Sequence, residues 1–194
     1  MDKKIIIAVT GGIGSGKSTA LEILSSAGYP VLSSDQIVKD LYEKRWVKKI
    51  LKRIFPTAVS GFFHLAVDKK KIAELAFNDK KLHKELTDAI TPLVLKEILI
   101  RTENLSGKIF VEVPLLFECG YQNQFDGVLV IVRDKTQRIE SVKTRSNLTE
   151  KEIIARMNDQ VDYDAFDLSP FAVIVNDGEL DALKQSVLAF AKNL

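Results

Sequence analysis

The segment Thr10-Gly11-Gly12-Ile13-Gly14-Ser15-Gly16-Lys17-Ser18-Thr19 carries the spacing Gly11-x-x-x-x-Gly16-Lys17-Ser18, between an apolar run, Ile5 to Val9, and a helical pattern. That spacing lets a strand turn into a helix while backbone N–H groups converge on one point, and the helix N-terminus reinforces the resulting anion hole. Glycines at 11, 12, 14 and 16 remove β-carbons that would block a polyphosphate. Lys17 supplies a point charge to the β and γ phosphates, Ser18 is expected to place its hydroxyl on Mg²⁺, and Thr19 is expected at the α-phosphate. Gly12, Ile13, Gly14, Ser15, Gly16, Lys17, Ser18 and Thr19 are therefore the expected nucleotide-binding residues. The plainer alternative, a glycine-rich turn that merely opens a helix, does not account for the Lys-Ser-Thr ending at a strand-to-helix junction.

Among proteins that bind nucleoside triphosphates, a GTPase switch shows Asp-x-x-Gly and Asn-Lys-x-Asp. Here no aspartate is followed by glycine three positions on, and no Lys-x-Asp occurs. A small kinase is the expectation, and a kinase needs a group at the acceptor hydroxyl and cationic cover for the transferring phosphoryl. Asp35, in Leu32-Ser33-Ser34-Asp35, can take a hydroxyl proton; its alternative role is N-cap of a helix starting at Gln36. Arg138, Arg145 and Arg156 flank the break Ser146-Asn147-Leu148-Thr149, and Thr149-Glu150-Lys151-Glu152 is a helix-start box. Such a hairpin suits a lid whose arginines stabilise phosphoryl oxygens, with ordinary surface ion pairs as the alternative.

These groups need a scaffold. Short apolar runs at Ile5 to Val9, Pro30 to Leu32, Ile109 to Val113, Val128 to Val132 and Val173 to Val175 predict strands of a buried parallel sheet. Helical periodicity fills Lys17 to Ala27, Asp35 to Ile54, Lys69 to Phe77, Lys80 to Thr102, Lys135 to Ser146, Thr149 to Gln160 and Glu179 to Lys192. The alternation predicts a doubly wound α/β fold. The interval from Asp35 to about Ser106 is too long for one crossover and predicts a helical subdomain beside the sheet's carboxyl edge, where such sheets bind ligands.

With 194 residues the chain suffices for one α/β domain and an appended subdomain. A formal charge of +2 with interleaved signs favours neither nucleic acid nor membrane as a partner. Locally, Lys39 to Arg53 is basic, which suits a solvated helix face or attraction of a phosphorylated substrate. A lone cysteine, Cys119, excludes an internal disulfide and any cysteine-based zinc site; with no signal-peptide or membrane-span pattern, a cytoplasmic protein is expected. His64 and His83 have no metal-ligand partners at useful spacing.

The glycine loop, Ser34-Asp35-Gln36-Ile37-Val38, Val113-Pro114-Leu115-Leu116-Phe117-Glu118, Gln137-Arg138 with Arg145, Arg156 and Gln160, and Ile174-Val175-Asn176-Asp177-Gly178 span nearly the whole chain in order. Together they closely resemble the dephospho-CoA kinase family. The resemblance implies a three-layer P-loop NTPase fold with a five-stranded parallel sheet. Its nucleotide-binding core would be residues 1–34 and 107–194, with a lid at about 135–160 and a helical insertion at 35–106 that binds dephospho-CoA. It implies Mg²⁺-dependent transfer of the ATP γ-phosphate to the ribose 3′-hydroxyl of dephospho-CoA by a monomer or weak homo-oligomer. Lys17, Asp35 and Arg145 would be catalytic. Arg138, Asn176 and Gly178 would join the loop in binding ATP, with Asn176 to Gly178 on the adenine side. Asp35, Pro114, Leu115, Leu116, Glu118 and Arg156 would meet the acceptor, and Ser18 with Glu112 would hold Mg²⁺.

Three positions depart from the family's pattern: Thr91-Pro92 replaces His-Pro, Asp68-Lys69 replaces Asp-Arg, and Phe171-Ala172-Val173 lacks an acid before the last strand. Two other readings share the architecture. One is a kinase for a nucleoside or nucleotide; the other is a catalytically idle ATP-binding regulator.

Overall fold

The computed structural model describes residues 3–146 and 148–194; Asn147, in the expected break of the helical hairpin, lies outside the described residues. Among the described residues seven strands, β1 (Ile5–Thr10), β2 (Val31–Ser33), β3 (Val59–Ser60), β4 (Ala66–Val67), β5 (Lys108–Glu112), β6 (Gly127–Val132) and β7 (Ala172–Val175), are interspersed with eight α-helices and a short 3₁₀ helix at Gln122–Gln124. The helices are α1 (Lys17–Ser26), α2 (Ser34–Glu43), α3 (Arg45–Ile54), α4 (Lys69–Asn78), α5 (Lys80–Arg101), α6 (Lys135–Arg145), α7 (Glu150–Asn158) and α8 (Leu180–Asn193). By internal contacts the chain divides into two compact units, residues 1–33 with 104–194 and residues 34–103.

In the first unit a five-stranded sheet runs β2-β5-β1-β6-β7, every pairing parallel. Alternation along β1 sends Ile7 and Val9 to one face, where they pack with Leu24 of α1 and Leu183 and Val187 of α8. Ala8 faces the other way and meets Leu116, Phe117, Val128, Val130 and Tyr163. Burial of both faces is why the three central strands β5, β1 and β6 read as unbroken apolar runs, whereas β7 at the edge leaves Val173 and Val175 exposed. A third cluster, Val142, Ile153 and Met157, holds α6 against α7.

The hairpin helices have strong start signals. Asp134 caps α6 by accepting from the Thr136 and Gln137 amides, and Thr149 with Glu152 forms a reciprocal capping box on α7.

In the second unit, α5 packs against α2, α3 and α4 around Ile37, Leu41, Val47, Leu51, Ile90, Val94 and Ile98. Asp79 caps α5, and Asp68 caps α4 through the Lys71 amide. Arg101 bridges Asp40 at 2.8 Å and Glu97 at 3.2 Å, and Lys44 reaches Glu97 at 3.0 Å.

Two expectations need correction. The helix expected over Asp35 to Ile54 is two helices, with Lys44 extended at φ −71° and ψ 127° between them. A continuous helix would carry the Ile37 and Leu41 stripe onto Lys44, Arg45 and Lys48; the break resets the phase so that Val47, Leu51 and Ile54 are buried instead. Helix α2 also starts at Ser34, so Asp35 lies in its first turn and is not its N-cap. The short antiparallel pair β3 and β4 gave no periodic signal, being two residues on each side.

Candidate active site

β1 is the middle strand of its sheet, hydrogen-bonded to β5 on one side and β6 on the other. Its carboxyl end delivers the glycine loop, and α1 begins at Lys17 immediately after Gly16. Gly16 has φ +98°, and a β-carbon there would strike the side chain of Asn176. The first turn of α1 has no intrahelical acceptors for its amides, which directs them to the loop's concave side. Lys17 is buried, and its Nζ donates to the carbonyls of Gly11 at 2.7 Å and Gly12 at 3.0 Å, folding the ammonium over the loop.

Several distant residues fix this loop. Asn176, just past β7, is buried and donates Nδ2 to the Ser15 carbonyl at 2.8 Å, while its backbone N–H donates to Val132 at 2.8 Å. Asp177 accepts from the Asp134 amide at 2.7 Å, joining the segment after β7 to the start of α6. Arg138, in α6, is also buried and donates Nε to the Ile13 carbonyl at 3.0 Å. A β-carbon at Gly12 would strike its guanidinium, so any larger residue there would have to displace the Arg138 side chain. Burial lowers the pKa of Arg138 against the opposing pull of Asp164, Tyr163 and Asp162. It nonetheless stays protonated, as guanidinium groups do in proteins.

Tyr163 places its phenol 3.4 Å from the Thr10 hydroxyl, and burial pushes it up to about 12, which keeps it protonated at neutral pH. Arg138, Tyr163, Gln160, Lys135, Asp162 and Asp164 contribute to the wall of a cavity of about 260 Å³ beside the loop.

At the sheet's carboxyl edge Glu112 ends β5, opposite Val9 of β1 and Ser33 of β2, and accepts from Ser33 Oγ at 3.2 Å. Ser18 is exposed at the head of α1. No group of three or more His, Cys, Asp or Glu side chains suited to a metal occurs among the described residues. A hydroxyl and one carboxylate suit Mg²⁺, which keeps several of its waters and leans on substrate phosphates, better than a metal that needs an all-protein cage.

The structure thus gathers the loop, Arg138, Asn176 and Glu112 within the first unit. Asp35 belongs to the second unit, exposed in the first turn of α2. Arg145 and Arg156 lie exposed on the last turns of α6 and α7. Two expected assignments change. Arg138, expected on an exposed lid, is buried and supports the loop backbone through the Ile13 carbonyl. Leu116 is fully buried in the core with Ala8 and Val130, so its side chain cannot form a wall for the acceptor. Leu115 beside it is 41% exposed, whereas Glu118 accepts from the Val161 amide at 2.8 Å.

At the departures, Asp68 caps α4, Lys69 pairs with Glu43 at 3.1 Å, and the Phe171 ring meets that of Phe117 at 5.0 Å between centroids, tilted by 45°. Gln160 stands among the residues that carry the family resemblance but with no expected role, and Tyr163 has none either; the partners of both lie more than a hundred residues away in sequence.

A lysine folded over an amide-lined turn, on a helix leaving the middle strand of a parallel sheet, is the apparatus by which proteins grip the phosphates of a nucleoside triphosphate. With no GTPase signature in the sequence, the class is that of the small P-loop kinases. The family model for dephospho-CoA kinase matches residues 5–182. A curated dephospho-CoA kinase of Thermus thermophilus is 34% identical over 191 residues, covering 98% of this chain and 92% of its relative. Among solved structures, a Thermus thermophilus protein with 34% identity superposes with a TM-score of 0.87, covering 100% of this chain and 99% of that one. The dephospho-CoA kinase of Campylobacter jejuni, 26% identical, gives 0.70 with 98% and 96% coverage. The chain belongs to the dephospho-CoA kinase family.

Proposed function

We propose that this protein transfers the γ-phosphate of ATP to the ribose 3′-hydroxyl of dephospho-CoA, giving CoA and ADP. The observation that carries the reading is the glycine loop with Lys17 folded over it, in a chain whose family match spans residues 5–182. A second observation supports an anion in the loop: Ser15 Oγ is buried with no hydrogen-bond partner among the described residues, an orphan that a phosphate oxygen would satisfy.

In this reading the loop amides and Lys17 hold the β and γ phosphates. Asp35 orients the acceptor hydroxyl and takes its proton as the oxygen attacks phosphorus. The bond to the β–γ bridging oxygen breaks, and ADP leaves with that electron pair. Arg145 and Arg156 offset charge on the phosphoryl and acceptor groups, and Leu115 with Pro114 borders the acceptor. Bound through Ser18 and water-linked Glu112, Mg²⁺ would neutralise phosphate charge. No helix among the described residues is long and apolar enough to cross a membrane.

The test is ADP release from Mg·ATP with dephospho-CoA, AMP and adenosine offered in parallel, and phosphorus NMR to fix the product's phosphate position. Phosphorylation of dephospho-CoA alone, at the 3′ position, is expected. Turnover of AMP or adenosine instead would assign a nucleotide or nucleoside kinase, and binding without turnover would assign a regulator.

A further inference from the structure

Ile13 is gripped three ways by the helical hairpin. Its N–H donates to Gln160 Oε1 at 2.7 Å, its carbonyl accepts from Arg138 Nε at 3.0 Å, and its side chain packs against Val142, Ile153 and Met157. Gln160 stands two residues beyond α7, and Arg138 stands near the start of α6. Both legs of the hairpin therefore end on one residue of the phosphate loop.

We propose that Gln160 is a positioning residue that sets the phosphate loop through the Ile13 amide and, with Arg138, ties loop geometry to hairpin placement. The Ile13 N–H is held by Gln160, which leaves phosphate binding to other loop amides and Lys17. The backbone cannot rotate at Ile13 without releasing one leg, and neither leg can shift without pulling on the loop. Glutamine suits the task because its amide oxygen accepts the hydrogen bond without placing a formal negative charge beside a polyphosphate. An apolar replacement would strand a partly buried N–H, and a glutamate would keep the acceptor but repel the ligand.

This inference rests on the loop being a nucleotide site, and its test separates the two. The Ile13 amide is followed by nitrogen–proton NMR in nucleotide-free wild type, Gln160→Met and Gln160→Glu, and Mg·ADP affinity is measured by calorimetry on the same samples. In Gln160→Met the Ile13 proton resonance should move upfield, and ADP should bind about tenfold more weakly, the scale of one lost net hydrogen bond. In Gln160→Glu the resonance should stay downfield while affinity falls through repulsion. If Gln160→Met does not fold, Gln160→Ser, too short to reach Ile13, carries the same comparison.

An unmoved Ile13 resonance in the methionine variant would overturn the hydrogen bond. Affinity within twofold of wild type despite a moved resonance would overturn the positioning role. Failure of the wild type to bind Mg·ADP would instead overturn the nucleotide reading, and with it any purpose for the clamp.

Discussion

Asn176 and Ser15, 161 positions apart in sequence, are joined by a buried hydrogen bond of 2.8 Å that fastens the end of the last strand to the phosphate loop. The bond satisfies the Ser15 carbonyl, and the amide group also occupies the space above Gly16. Asn176→Ala should cost about 1–3 kcal/mol, the range for leaving a buried polar group unpaired. A thermal melt will show it, together with weaker Mg·ADP binding. A melt and an affinity equal to wild type would mean the bond neither stabilises nor shapes the loop.

The two arginines of α6 should separate cleanly. Arg138→Ala removes a buried guanidinium from the Ile13 carbonyl and should lower the melting temperature as well as nucleotide affinity. Arg145→Ala, at an exposed position, should leave the melt unchanged and reduce kcat. Comparable melts for both variants would refute the division into a loop support and a group that acts on the phosphoryl.

Asp35→Asn keeps the size and the helix turn but removes the proton acceptor. Turnover should fall by about 10²–10⁴, the usual contribution of a general base, with Mg·ADP affinity unchanged. Full turnover in this variant would remove Asp35 from the chemistry.

Acid should weaken the second unit through Glu97. Its carboxyl is held below the ordinary glutamate value first by the Lys44 ammonium and then by Arg101, and Arg101 likewise lowers Asp40. A depressed carboxylate pKa contributes stability above the unfolded value and loses it as pH falls through the folded value. The melting temperature should therefore drop as pH goes below about 4.3, the ordinary glutamate value. Glu97→Gln should show a shallower drop and a small loss at neutral pH, about 0.2–1 kcal/mol, the scale of an ion pair that water still reaches, here between half-buried side chains. Parallel melting curves against pH for the two proteins would contradict this.

Much of this architecture is legible in the chain itself, because strands buried on both faces leave unbroken apolar runs and capped helices leave polar start signals. All five strands of the parallel sheet lie within a residue or two of the apolar runs, and the Thr149 to Glu152 box closes as its spacing requires. The single helix expected over Asp35 to Ile54 fails because good helix formers stand on either side of Lys44, while the change of stripe phase is visible only when buried positions are counted separately.

At the site, the loop was legible because its chemistry is local. The supports were not, since Gln160 to Ile13 and Asn176 to Ser15 are contacts that only the folded sheet creates. Leu116 shows the limit of a resemblance: its string marks the family, yet the side chain serves the core.

The strand that carries the loop is laddered to β5 and β6, with no free edge. Mechanically this makes β1 the abutment of the molecule. A tug on Ile13 from the hairpin is transmitted to a root that two rows of hydrogen bonds resist, so the recoil must be taken up in the helices that pull. Amide exchange should register this as a gradient, slowest at Ile7 to Val9 and fastest in the hairpin, and the loop between them would act as a stiff coupling, not a spring.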